Sequence, residues 1–160
     1  MKINYSFLLL IIISLYIDCF TQLLIFILAL FFHELGHVIV CLIFNIKING
    51  FNLGVFGGKL ILNNDFYILS KYKKIIIYLS GILVNFLLYY LFKNTLFSYC
   101  NLILFLFNIL PIYPLDGYNI IDLIISKKSL NNISVLFICL SMLFLSILAT
   151  SGTTIIFVIP

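Results

Sequence analysis

LLIFILALFFHELGHVIVCLIFNI, residues 23–46, is the stretch on which the reading of this chain turns. It is long enough to cross the hydrocarbon core of a bilayer, which takes about 20 apolar residues. Yet its middle carries His33, Glu34 and His37, the only two histidines and the only glutamate in the 160 residues. Ionisable side chains at membrane depth are costly and are found where they serve a site. The stretch therefore predicts a membrane helix built around chemistry.

Composition agrees about the solvent. Of the residues, 64% are hydrophobic and only 9% are charged, against about 25% charged in a soluble domain. Too little polar material is present to cover a water-facing surface. The net charge of +4 comes from nine lysines, since arginine is absent. These lysines are scattered through the loops and form no basic stripe with stacking aromatics, which argues against a nucleic-acid partner. Cys19, Cys41, Cys100 and Cys139 are widely spaced and lie in or beside apolar runs. That arrangement gives neither a disulfide framework nor a thiolate zinc site. The N-terminal apolar run lacks a small-residue cleavage site and reads as an uncleaved first helix.

The expected architecture is an all-α polytopic membrane protein of one domain, residues 1–160. It has about five to six transmembrane helices and a small membrane-associated β-hairpin. The spans fall at about 5–20, 23–46, 75–92, 96–125 and 133–149, with a partial span at 153–160. Asp18, Thr21 and Gln22 mark the first turn, and Pro111 and Pro114 interrupt the fourth span. With the N-terminus in the cytoplasm, Lys2, Lys47, Lys59, Lys71, Lys73, Lys74, Lys127 and Lys128 all lie inside and only Lys93 outside. That asymmetry follows the positive-inside rule. Between the second and third spans, Phe51, Leu53 and Val55 alternate with Asn52 and Gly54, and Gly57-Gly58 precedes a second short apolar run. This predicts a hairpin turning at Gly57-Gly58; an ordinary cytoplasmic loop fits the same residues.

The run His33-Glu34-Leu35-Gly36-His37 has the H-E-x-x-H spacing. On a helix, residues four apart share a face, so both imidazoles can reach one ion. Glu34 is turned aside, towards a water rather than the ion. Two neutral imidazoles suit Zn²⁺, and a carboxylate beside them suits proton transfer from that water. Catalytic zinc usually has a third protein ligand, and the remaining acids are Asp18, Asp65, Asp116 and Asp122. His37 stands ten residues before Lys47 and Asp116 eleven before Lys127, which puts Asp116 at the depth of the histidines. Asp18 belongs to the opposite border, Asp65 to the loop, and Asp122 is close enough to Lys127 or Lys128 to pair with either.

His33-Glu34-Leu35-Gly36-His37, followed by Asn108-x-x-Pro111-x-x-Pro114-Leu115-Asp116-Gly117, resembles the site-2 protease family of intramembrane zinc metalloproteases. It is most similar to the stage IV sporulation protein FB branch. Phe56-Gly57-Gly58 and Gly81-x-x-x-Asn85 add to the resemblance, which covers most of residues 20–126. The resemblance implies Zn²⁺ held by His33, His37 and Asp116, with Glu34 as catalytic base. It also implies regulated intramembrane proteolysis of a membrane-associated precursor, with membrane regulatory proteins as further partners, in a bacterial inner or cell membrane. Three positions depart from the family pattern: Tyr118-Asn119 stands where a glycine and a basic residue are common, and Ile82 where a proline is. Asn108 and Asn85 are candidates to donate to the substrate carbonyl or a developing oxyanion; buried asparagine also commonly just bonds across helices. The competing functions are a membrane metal-binding or transport protein and an inactive protease-like binding protein.

Overall fold

The structure, a computed structural model, describes residues 2–3, 12, 14–54, 57–63, 65–125 and 129–139. They fall into two compact units, residues 1–109 and 110–160. Half of the first expected span, residues 140–149 of the fifth and the partial span 153–160 lie outside the described residues.

The first unit is organised by helix α1, Phe20–Ile43, and helix α3, Lys71–Leu91. Both are long and apolar enough to cross a membrane. At 1.5 Å per residue they extend about 36 and 31 Å, against a hydrocarbon core of about 30 Å. They run antiparallel, since His33 meets Asn85 while His37 meets the Ile77 carbonyl. Their packing is polar inside and apolar outside. Ala29, His33, Gly36, His37 and Cys41 are buried on α1, and Ile77, Ser80, Gly81 and Asn85 on α3. Leu24, Leu28, Phe31, Ile39, Leu83, Phe86 and Leu87 face outward. Small residues at the seam let two backbones approach closely, as membrane helices do.

Helix α1 is shifted three residues towards the N-terminus relative to the expected span, 20–43 against 23–46. Asn45, at φ 56°, takes the left-handed conformation. Its N–H donates to Leu42 O at 3.0 Å and that of Ile46 to Cys41 O at 2.9 Å. This pair of bonds is a Schellman stop, and Ile46 and Cys41 share one buried cluster with Ile77. Helix α3 begins at Lys71 rather than Ile75. Lys73 and Lys74 lie over the Phe44 and Phe66 rings, 5.3 and 5.6 Å from their centroids, so charged side chains flank the span without ending the helix.

Helix α4, Leu96–Ile109, folds back along α3 through a tight turn. Thr95 caps it, its hydroxyl oxygen accepting the Ser98 N–H at 3.1 Å and its hydroxyl donating to Phe92 O at 2.6 Å. The Ser98 hydroxyl donates to Tyr89 O at 2.9 Å. Ala29, Cys100 and Leu104 pack together between α1 and α4, flanked by Phe26 and Phe97.

Among the described residues, three short strands complete this unit: β1 (Lys2–Ile3), β2 (Ile48–Gly54) and β3 (Gly57–Leu62), in the order β1-β2-β3. Strands β2 and β3 pair antiparallel, with a register shift between Ile48 and Gly50. Gly54 pairs with Gly57 and Leu53 with Gly58. The glycine pair therefore lies in strand β3 and not in the turn expected at Gly57-Gly58. Strand β1 adds to β2 in parallel, and the short helix α2, Asp65–Ile68, leads on to α3. The side chains of Ile48 and Leu62 pack at the cluster of Cys41, Ile46 and Ile77, which seats the base of the hairpin at the α1–α3 seam.

The second unit holds helix α5, Asp116–Asp122, and helix α6, Ser129–Cys139. The break in the expected fourth span is real: α4 stops at Ile109 and α5 starts at Asp116. A cis peptide joins Tyr113 to Pro114, and the Tyr113 and Tyr118 rings meet edge to face at 5.6 Å. Prolines leave upstream carbonyls without intrahelical donors. The Ser134 hydroxyl of α6 donates to the Pro111 carbonyl, so a side chain satisfies a backbone acceptor in this irregular stretch, as polar side chains do at membrane depth.

Candidate metal centre

Helix α1 brings His33, Glu34 and His37 to the bundle interior, at 4%, 9% and 7% relative exposure. Their positions follow from helix period: with Ala29 and Cys41, the two histidines form one stripe at intervals of four. His37 lies six residues from the Ile43 end of α1, about 9 Å along the axis. The site is thus nearer the end that carries Lys47, Lys71, Lys73 and Lys74 than the end near Lys93.

The two rings are oriented from outside by α3. His33 Nδ1 stands 2.8 Å from Asn85 Oδ1. His37 Nδ1 stands 2.7 Å from the Ile77 carbonyl oxygen. A carbonyl only accepts, so His37 donates from Nδ1, and with Asn85 turned this way so does His33. That leaves both Nε2 atoms for a cation, and they are 3.2 Å apart. Two ligand nitrogens at about 2.0–2.1 Å on a tetrahedral ion are separated by about 3.3 Å. The donor pair therefore fits a zinc-sized cation.

Gly81 makes the arrangement possible. A Cβ there would overlap His37 Nε2 and stand 2.6 Å from His37 Cε1 and 2.7 Å from His33 Cε1. Across the seam, a Cβ on Gly36 would meet Val84 Cγ2 at 2.8 Å and the Ser80 carbonyl oxygen at 2.9 Å. Both glycines are sites of close approach. The Ser80 hydroxyl donates to the Ile77 oxygen at 2.6 Å and lies 3.3 Å from His37 Nδ1.

Of the residues expected from sequence, the structure brings His33, His37 and Asn85 together, with Glu34 buried beside His33 in the chain. Asn85 is wholly buried, at 0% exposure. Asn108 is half-buried near the end of α4, its Nδ2 donating to Leu104 O at 3.0 Å. Asp116 is the first residue of α5 in the second unit and is half-buried. Ser80, Gly36 and the Ile77 carbonyl were not foreseen. Gly36 stood inside the motif and could have been read as a helix-crossing position; Ser80 and a backbone carbonyl carry no sequence signal.

No protein-family description and no curated protein matches the chain. Among solved structures it is similar to a site-2 protease from Methanocaldococcus jannaschii, with a TM-score of 0.68 and 25% identity, over 92% of this chain and 80% of that one.

Proposed function

We propose that this chain is an intramembrane zinc endopeptidase of the site-2 protease family, cleaving a membrane-associated protein in or near its membrane segment. The observation that carries the reading is the imidazole pair: both Nδ1 atoms are committed to acceptors on α3, and both Nε2 atoms converge at 3.2 Å. Similarity to a solved site-2 protease over most of both chains supports it.

In this reading His33, His37 and Asp116 supply the ligands of one Zn²⁺. Asp116 is favoured by its spacing from Lys127, which is within one residue of that of His37 from Lys47. When bound, the ion acts as a Lewis acid, lowering the pKa of water and stabilising negative charge on the scissile carbonyl oxygen. Glu34, buried with the histidines, takes the proton of the attacking water on a carboxylate oxygen and returns it to the leaving amine. Asn108, whose amide has a second hydrogen beyond the one given to Leu104 O, donates to the developing oxyanion. The walls around the histidines exclude bulk water, which strengthens each of these interactions.

The finer parts of the proposal concern setting. The chain works as one membrane domain with its N-terminus in the cytoplasm, and water reaches the site from the lysine-rich side. A helical substrate hides its carbonyls in intrahelical bonds and must unwind before cleavage. Strand β3 pairs only with β2 among the described residues, which favours capture of the unwound segment by strand addition. The sporulation protein FB branch, a bacterial membrane and a precursor of a regulator as substrate follow the sequence resemblance.

The test is co-expression with single-span precursor proteins, reading cleavage and metal content on the same preparation. Bound zinc with cleavage abolished by Glu34→Gln supports the protease. Zinc without cleavage in the parent points to a binding or transport protein, and neither points to an inactive relative.

A further inference from the structure

We infer that Asn85 is the positioning residue of this centre: its carbonyl oxygen fixes His33 as the Nδ1–H tautomer and so aims Nε2 at the ion. The inference rests on the metalloprotease reading and gives Asn85 a task other than contact with substrate.

Asn85 is fully buried, one helical turn beyond Gly81 on the face of α3 that supports both rings. Its Oδ1 is 2.8 Å from His33 Nδ1 across a sequence separation of 52 residues. His37 has no comparable freedom, because its Nδ1 faces a backbone carbonyl that cannot be turned. His33 faces an amide, and the amide has two ends. With Oδ1 inward, His33 carries its proton on Nδ1 and presents a lone pair beside that of His37. With Nδ2 inward, the proton moves to His33 Nε2 and the two histidines bond to each other across their 3.2 Å gap, closing the centre to a cation. The orientation of one side chain thus decides whether α1 carries a ligand pair or a satisfied histidine pair. Partners of this kind on the far nitrogen of a metal-binding histidine fix tautomer and ring direction.

The amide also has a donor end. Asn85 Nδ2 is buried without an acceptor among the described residues, so donation to a substrate carbonyl is the competing role. Aspartate separates the two roles, since it keeps an acceptor for His33 and has no donor. Leucine removes both at nearly the same volume.

The experiment uses the full chain in detergent, with zinc affinity measured by competition against a chromogenic chelator. Ring ¹⁵N shifts of the metal-free parent report the His33 tautomer. N85L is expected to bind zinc about 10–100-fold more weakly than the parent, with N85D within about twofold of it. Metal-free His33 is expected as the Nδ1–H form. N85L binding as tightly as the parent overturns the inference, as does N85D falling as far as N85L, or a parent His33 protonated on Nε2. Should N85L fail to fold, N85D and the parent's ¹⁵N shifts still decide. A parent that binds no zinc overturns this inference and the metalloprotease reading together; a parent that binds zinc with N85L unchanged overturns this inference alone.

Discussion

Gly81 lies directly under the His37 imidazole, so close that a Cβ at residue 81 would overlap Nε2 of the ring. The same added carbon would stand 2.7 Å from His33 Cε1. Both rings are buried and tied to α3 through their Nδ1 atoms. Gly81→Ala is therefore expected to displace the ligand nitrogens rather than simply to loosen the bundle. Overpacking of this kind costs about 1–3 kcal/mol. Zinc stoichiometry of the purified variant should fall well below that of the parent, and cleavage should drop about 10–100-fold, the range seen when a metal ligand loses its orientation. A variant with full zinc content and parental cleavage would contradict the geometry.

Gly36 makes a different prediction, because its neighbours are a side-chain methyl and a backbone carbonyl. Alanine there must push α1 away from α3, and a backbone oxygen at 2.9 Å from the new carbon cannot rotate aside. Gly36→Ala should lower the thermal midpoint in detergent, at a cost of about 1–3 kcal/mol. Gly50→Ala, in the hairpin, serves as a comparison for the loss of a glycine as such.

Glu34 is expected to act on the proton and not on the metal. Glu34→Gln keeps size and removes the base, so zinc content should remain at the parental level. Cleavage should fall about 10²–10⁴-fold, the usual contribution of general acid–base catalysis. Measuring both on one sample guards against a variant that has lost its metal.

Much of the site was legible before the fold was. The four-residue interval of His33 and His37 dictates a common helix face, and one ionisable cluster inside an apolar run marks a site. Asn85 shows where such reasoning stops. Its motif drew attention to it, but which end of the amide meets which nitrogen of His33 is a tertiary fact, set by two helices crossing at Gly36 and Gly81. The span edges slipped for physical reasons too. Lys71, Lys73 and Lys74 read as the flank that introduces the third span at Ile75, whereas the helix already runs through them from Lys71, with the Lys73 and Lys74 side chains over aromatic rings. The misplaced hairpin reversal has the same character. A Gly-Gly pair suits a turn, yet strand register, with Gly54 opposite Gly57 and Leu53 opposite Gly58, puts both glycines in β3.

Asn45 closes α1 in the left-handed region, two residues beyond Ile43, the last helical residue. Glycine would take that conformation freely and asparagine takes it readily, but a β-branched residue does not. Asn45→Gly is expected to leave the thermal midpoint close to the parental value. Asn45→Val should destabilise by about 1–2 kcal/mol and unravel the last turn of α1, which circular dichroism and the thermal midpoint in detergent would register.

Asp116 is the ligand on which the proposed centre depends beyond α1. Chelator treatment should remove zinc from the parent and abolish cleavage, and added zinc should restore both. Asp116→Asn keeps the shape of the side chain at the start of α5 and removes its negative charge. It should weaken zinc binding by at least about 10-fold and lower cleavage at limiting zinc, with partial recovery when zinc is raised. Asp122→Asn, in the last turn of the same short helix, should leave zinc affinity unchanged. Equal zinc affinity in parent and Asp116→Asn would mean that another group completes the coordination of His33 and His37.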